Sequence, residues 1–289
     1  VEAAGWEGDR LSRGLEHALA TLQEKASLVV RQESGRGRLY RVAGHSSPLP
    51  SVTSVTRLIA KEGLPIWYKR MALEGVFAAL MARRERGMEA FPIEEEALRQ
   101  LLAEVESYPE QERQAAADFG SELHALIADL LSGLEVLVPP SFAPAVAAFR
   151  HWQETAGLHL TLFASEVPVY SLQHGFAGTV DAIGWREGEA AIVAIDWKSG
   201  KGIYREYALQ VAAYAAAIEE MTGCPVSECW VVRLGKDRPL FVAREVRDWR
   251  AAFEAFRAAL SLYSCLRRDP FGRTVSGEAE AAEALEVVP

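Results

Sequence analysis

The stretch GFAGTVDAIGWREGEAAIVAIDWKSG, Gly175 to Gly200, decides how the chain is read. Phe176–Trp185 and Ala190–Lys198 have the apolar, β-branched and aromatic content of strands, and the polar group Arg186-Glu187-Gly188-Glu189 parts them. Side chains alternate along a strand, so Asp196 and Lys198 share one face of the second segment while Ile195 and Trp197 share the other. A two-residue turn at Glu187-Gly188 pairs Arg186 with Glu189 and sets Asp181 opposite Ala194. Asp181 and Asp196 are then diagonal neighbours on one face, roughly 7–8 Å apart between backbones, a gap that two carboxylates can close around one cation. Ile192, Val193 and Ile195 make this segment apolar on both faces and so central in a sheet, where an uncompensated carboxylate is costly.

Outward from this hairpin, the sequence falls into two unlike halves. Upstream, Leu160–Tyr170 reads as a strand preceding the pair, which completes an antiparallel three-strand meander. Downstream come a helix from Tyr204 to Met221, a strand at Val226–Leu234, a short strand at Leu240–Arg244 and a closing helix to Arg267. Meander, crossover helix and further strand make an α/β order. The first half is mainly helical. An opening helix leads to a hairpin of Ser27–Glu33 and Arg38–Val42 around Gly35 and Gly37. Helical patterns follow at Val52–Lys61, Pro65–Arg86, Ile93–Ser107, Glu110–Ser132 and Phe142–Ala156. The expected division is a helical, substrate-handling region over residues 1–110, a core over 111–270 and a flexible acidic tail over 271–289.

Composition excludes several classes. About half of the 289 residues are hydrophobic, enough for a sizeable core. No apolar run approaches the roughly 20 residues of a membrane span and no secretory leader is visible, so the expected location is cytoplasmic. Three cysteines, Cys224, Cys229 and Cys265, support neither a disulfide framework nor a four-thiolate cluster, so no iron–sulfur centre is expected. A formal charge of −9 means that any nucleic-acid contact must come from a local basic groove.

Two carboxylates beside an ammonium suit a hard cation such as Mg²⁺ or Mn²⁺, which keeps several waters and takes further oxygen ligands from a phosphate. An isolated Asp-x-Lys is more often a surface ion pair. The neighbouring candidates change that balance: His124 near the edge of the apolar helical stripe Phe119, Leu123, Leu126, Ile127 and Leu130, and Glu166 ahead of Val167 and Val169.

In order, FGSELH ending at His124, SEVPV with Glu166, GFAGTVDAI with Asp181, AIDWKSGKG with Asp196 and Lys198, and ALQVAAYAAA with Gln210 and Tyr214 resemble the PD-(D/E)XK nuclease superfamily in its RecB-type exonuclease branch. The resemblance implies a restriction-endonuclease-like α/β core. It also implies a metal set of His124, Asp181, Asp196 and the Trp197 backbone carbonyl, and a catalytic set of Asp181, Asp196, Lys198, Glu166, Gln210 and Tyr214. Gln210 and Tyr214 lie one turn apart on one helix face, as that role requires. The segment LPSVTSVTRLIAKEGLPIWYKRMA from Leu49 is similar to a region ahead of this core in phage-type and mitochondrial-type members, where the helical half covers the site and handles the strand. Members with an iron–sulfur staple carry four flanking cysteines, which are absent here.

The expected activity is metal-dependent hydrolysis of DNA phosphodiesters, by an exonuclease on single-stranded or frayed ends in repair, recombination or phage DNA processing. No G-x-x-x-x-G-K-[ST] motif marks an ATP-driven motor. Trp67 and Tyr68 are candidates for stacking bases. Lys69, Arg70, Lys201 and Arg205, with Arg83, Arg84 and Arg86, are candidates for phosphates. A homo-oligomer or a recombination-protein partner fits the same reading. The alternatives are a structure- or sequence-specific endonuclease on the same core and a catalytically silent DNA-binding subunit.

Overall fold

The computed structural model describes residues 2–34, 37–59, 63–87, 94–156, 159–160, 166–185 and 191–268. The expected turn at Glu187-Gly188 and the tail from 271 lie outside these residues. Helix α1 (Glu2–Ala26) precedes an antiparallel hairpin of β1 (Val29–Ser34) and β2 (Gly37–Val42), to which the short β3 (Leu49–Pro50) adds. Helix α2 (Val52–Thr56) starts at Ser51, whose hydroxyl accepts the Ser54 amide at 3.0 Å. It is shorter than the expected Val52–Lys61. Helices α3 (Leu64–Glu85), α4 (Glu95–Glu106), α5 (Tyr108–Leu131) and α6 (Ala143–Ala156) follow near their expected places. Pro65 and Pro109 sit in first turns, where the missing N–H is not needed.

The central sheet has the order β10-β9-β8-β7-β4. Its members are β4 (His159–Leu160), β7 (Ala182–Trp185), β8 (Ile192–Lys198), β9 (Val226–Leu234) and β10 (Phe241–Glu245). Strands β8 and β9 are parallel, joined by crossover helix α7 (Arg205–Thr222), and the remaining pairs are antiparallel. Strands β5 (Val167–Ser171) and β6 (Phe176–Val180) form a separate antiparallel pair. The mixed α/β architecture with a helical first half is consistent with a restriction-endonuclease-like core.

The meander differs from expectation in two ways. Leu160–Tyr170 is not one strand: β4 joins the central sheet and β5 the small one. Phe176–Trp185 breaks at Asp181, between β6 and β7. The register also differs. Ile183, not Asp181, pairs with Ala194; the ladder runs Gly184–Val193, Ile183–Ala194, Ala182–Ile195 and stops there, with Asp181 just beyond its last pair. A displacement of two residues preserves face parity along the ladder, and Asp181, one residue past its end, lies near enough to Asp196 for the two charges to act on each other.

Each face of the central sheet is covered. Ile192 and Ala194 of β8 and Ile183 of β7 pack under α7 in a core that also takes in Leu15, Leu19 and Leu22 of α1, Tyr40, Val52, and α8 (Trp249–Arg267) through Phe256 and Leu260. Val193, Ile195 and Trp197 face the other way, against Leu123 and Ile127 of α5 and Phe149 and Trp152 of α6. Trp197 meets the rings of Trp152 and Phe149 edge-on, at 4.8 and 5.5 Å. Helices α3 and α4 close over a smaller cluster of Ala79, Leu101 and Val105. Among the described residues no helix is long and apolar enough to cross a membrane.

Candidate active site

Parallel strands β8 and β9 end together, with Lys198 beside Arg233, and α7 begins just beyond. The crevice at the carboxyl ends of parallel strands is where open α/β sheets bind ligands. Asp196, fully buried, projects toward α7, and its Oδ1 accepts a hydrogen bond from Gln210 Nε2 at 2.9 Å. The same Gln210 nitrogen lies 3.0 Å from the Tyr214 hydroxyl. One helix face thus places both residues over the strand. Gly178 makes room for Tyr214: a β-carbon there would stand 2.5 Å from Tyr214 Cε1 and 3.2 Å from Val52 Cγ2.

Asp181 sits where the antiparallel ladder stops. Its side chain takes over the role of a ladder carbonyl, Oδ2 accepting the Trp197 amide at 2.8 Å. The N–H and C=O of one strand residue point to the same side, so the Trp197 carbonyl also faces the Asp181 edge. Asp181 Oδ1 pairs with His124 Nδ1 at 3.2 Å. Helix α5 brings His124 there by approaching the loop after β8 at Gly120, where a β-carbon would lie 3.3 Å from Ser199 Oγ.

The electrostatics follow from burial and these partners. Burial pushes Asp196 up to about 6; Lys198 opposes the shift and Asp181 adds to it. Burial also works against ionised Asp181, but His124, Lys198 and the Trp197 amide outweigh it and hold this carboxyl below its usual value. His124 is raised: desolvation disfavours its charged form, and the Asp181 carboxylate more than compensates. Burial and the two carboxylates raise the Tyr214 phenol well above its usual range.

The Lys198 ammonium is 2.6 Å from Asp196 Oδ2, while its side chain is 16 % exposed. This contact is a close charge-assisted pair that compensates the buried Asp196 carboxylate. Among the described residues no group of three or more His, Cys, Asp or Glu side chains forms a ready-made metal cage. The donor set that is present consists of two neighbouring carboxylates and a nearby backbone carbonyl. That set fits a hard divalent cation that keeps most of its waters.

The other sequence candidates lie further out. Glu166 turns its carboxylate to Arg31, 3.6 Å away, from a backbone with φ of 48°, and is not drawn into the Asp–Asp–Lys group. Trp67 and Tyr68 are half-buried and stack edge-on at 5.1 Å. Lys69 is exposed, and Arg70 pairs with Glu74 at 2.8 Å. Arg83 pairs with Glu104. Lys201 and Arg205 are exposed on the loop and first turn beyond Lys198, and Arg233 Nε donates to the Gly200 carbonyl in that loop at 2.9 Å.

Two contributors escape the sequence reading. Gly178 carries no chemical signal, and only the Tyr214 ring explains it. Tyr207 lies one turn before Gln210, and its ring faces the Lys198 ammonium, 4.8 Å from the centroid; its spacing on the helix was the available clue.

Comparison with known proteins bears on the same strands. Residues 140–276 match the family model of the PD-(D/E)XK nuclease superfamily. The matched segment contains Glu166, Asp181, Asp196, Lys198, Gln210 and Tyr214, and leaves out His124. No curated protein matches the chain. A solved structure described as that of SSO0001 is similar over 67% of this chain and 85% of its own, with 14% identity and a TM-score of 0.29.

Proposed function

We propose that this chain is a metal-dependent DNA nuclease of the RecB-type branch, acting without ATP as an exonuclease on single-stranded or frayed ends in repair, recombination or phage DNA processing. One observation carries the proposal: at the end of a parallel strand pair Asp181 holds the Trp197 amide next to buried Asp196, and the Lys198 ammonium is 2.6 Å from Asp196. The PD-(D/E)XK match over the same residues supports the choice of a phosphodiester as substrate.

In this reading Asp181, Asp196 and the Trp197 carbonyl hold Mg²⁺ or Mn²⁺. Bound there, the ion would lower the pKa of a coordinated water and polarise a phosphoryl oxygen. The protein's own groups do the rest. His124 orients Asp181, Gln210 fixes Asp196, and Tyr214 steadies Gln210. Lys198 orients the attacking water or stabilises the charge that develops on the phosphate. Glu166 contributes only after exchanging Arg31 for the site. Lys201 and Arg205 hold phosphates at the rim. Residues 1–110 handle the strand, Trp67 and Tyr68 stacking on bases beside Lys69 and Arg70, and residues 111–270 form the nuclease core.

The test uses end-labelled single- and double-stranded oligonucleotides and closed circular single-stranded DNA, each with Mg²⁺ and with Mn²⁺. The expected result is stepwise shortening of linear substrates, an intact circle, and no products from Asp196→Ala or Lys198→Ala. Cleavage of the circle would replace exonuclease by endonuclease. A wild-type chain that leaves every substrate intact with either ion would overturn the nuclease reading.

A further inference from the structure

Lys198 is a flexible residue given a demanding position. Its ammonium is a compact charge on a flexible four-carbon stem, held on one side by a single oxygen, Asp196 Oδ2, at 2.6 Å. A second fixed feature is needed to define where the ammonium rests. The structure offers one in Tyr207, on the first turn of α7, whose ring stands 4.8 Å from Nζ.

We propose that Tyr207 is a positioning residue that fixes the Lys198 ammonium against Asp196 through the face of its ring. The proposal rests on the nuclease reading for its consequence and on geometry for its substance. Tyr207 precedes Gln210 by three residues, nearly one helical turn, and Gln210 holds Asp196 Oδ1. One short stretch of α7 therefore grips both partners of the ion pair, the carboxylate by an amide and the ammonium by a ring. A ring face attracts a cation through its quadrupole and does so more strongly where water is excluded, as it largely is here, with Lys198 16 % and Asp196 0 % exposed. The tyrosine hydroxyl plays no part in that attraction, so phenylalanine should substitute and an aliphatic residue should not.

Two experiments test this together. In metal-free protein, NMR of the Lys198 side chain should show its Cε methylene protons displaced upfield by the ring. The displacement should survive Tyr207→Phe and vanish in Tyr207→Leu. With Mg²⁺ or Mn²⁺ and linear DNA, Tyr207→Leu should lower kcat roughly five- to thirtyfold, the fold-change corresponding to one desolvated cation–π contact, with KM unchanged. Tyr207→Phe should match wild type.

Should Tyr207→Leu fail to fold, 4-fluoro-, difluoro- and trifluorophenylalanine at this position weaken the ring face without altering its shape, and kcat should fall stepwise along the series. A flat series, a wild-type kcat in a folded Tyr207→Leu, or a Tyr207→Phe as impaired as the leucine variant overturns the proposal. A wild-type protein with the upfield displacement but no activity on any DNA would leave the Lys198 placement standing and sink the nuclease reading instead.

Discussion

Replacing Asp196 by asparagine should stabilise the metal-free protein while abolishing nuclease activity. The side chain is completely buried, and burial, with Asp181 adding to it, pushes its carboxyl from an ordinary value near 3.8 up to about 6. The sign follows from linkage. A carboxyl that ionises less readily in the folded than in the unfolded chain withdraws stability as pH rises from the unfolded to the folded value. Above about 6 the full penalty applies, about 3 kcal/mol for a shift of this size. An amide of the same shape escapes it and can still accept from Gln210 Nε2. The variant returns about 1 kcal/mol, because Lys198 loses its carboxylate while keeping the Tyr207 ring and some contact with water. The net gain is about 1–2 kcal/mol, or about 2–3 °C in Tm for a chain of this size. Thermal melts in EDTA at pH 5 and pH 8 measure it. The gain should appear at pH 8 and shrink toward pH 5, and added Mn²⁺ should raise the wild-type Tm and leave the variant's unchanged. A variant less stable than wild type at pH 8 in EDTA would refute the claim that burial dominates this carboxylate.

Other predictions probe the parts separately. Gly178→Ala should destabilise by about 1–3 kcal/mol in urea titrations, because its new methyl collides with the Tyr214 ring at 2.5 Å. In Asp181→Asn the pKa of His124, followed by NMR, should drop, since the Asp181 carboxylate is what overcomes burial. The stability that this pair contributes is present below about 6.5, His124's ordinary value, and lost as pH rises through the folded value; it should be missing from the variant's pH–stability curve. Lys201→Ala with Arg205→Ala, measured by fluorescence anisotropy on single-stranded DNA in the Asp196→Asn background, should weaken binding and flatten the salt dependence by roughly 0.7 per lost phosphate contact. An unchanged slope would remove both residues from the DNA surface.

Much of this site was legible because its residues obey simple periodicities. Alternation along β8 put Asp196 and Lys198 on one face, and the one-turn spacing of Gln210 and Tyr214 put both on one side of α7. The turn between β7 and β8 was harder to read. A two-residue turn at Glu187-Gly188 sets the register two places from the observed ladder, an even displacement that keeps the face parity of β7 against β8. The break at Asp181 was hidden because nothing local announces that a side chain will replace a ladder carbonyl; the Trp197 amide that it accepts lies sixteen residues away. The split of Leu160–Tyr170 between two sheets is likewise a tertiary outcome, as the pairing partners of β4 and β5 differ. Glu166 looked like a site residue from its place before β5, but its carboxylate meets Arg31 of a hairpin far upstream. Tyr207 went unassigned because an aromatic residue on a buried helix face usually reads as core.

For Asp181 and Asp196 to share one divalent cation, anomalous diffraction from crystals soaked in Mn²⁺ should show a peak about 2 Å from an oxygen of each aspartate and from the Trp197 carbonyl, absent from Asp196→Asn crystals. A peak bound elsewhere on the chain, or none beside these two carboxylates at saturating Mn²⁺, would contradict a shared ion.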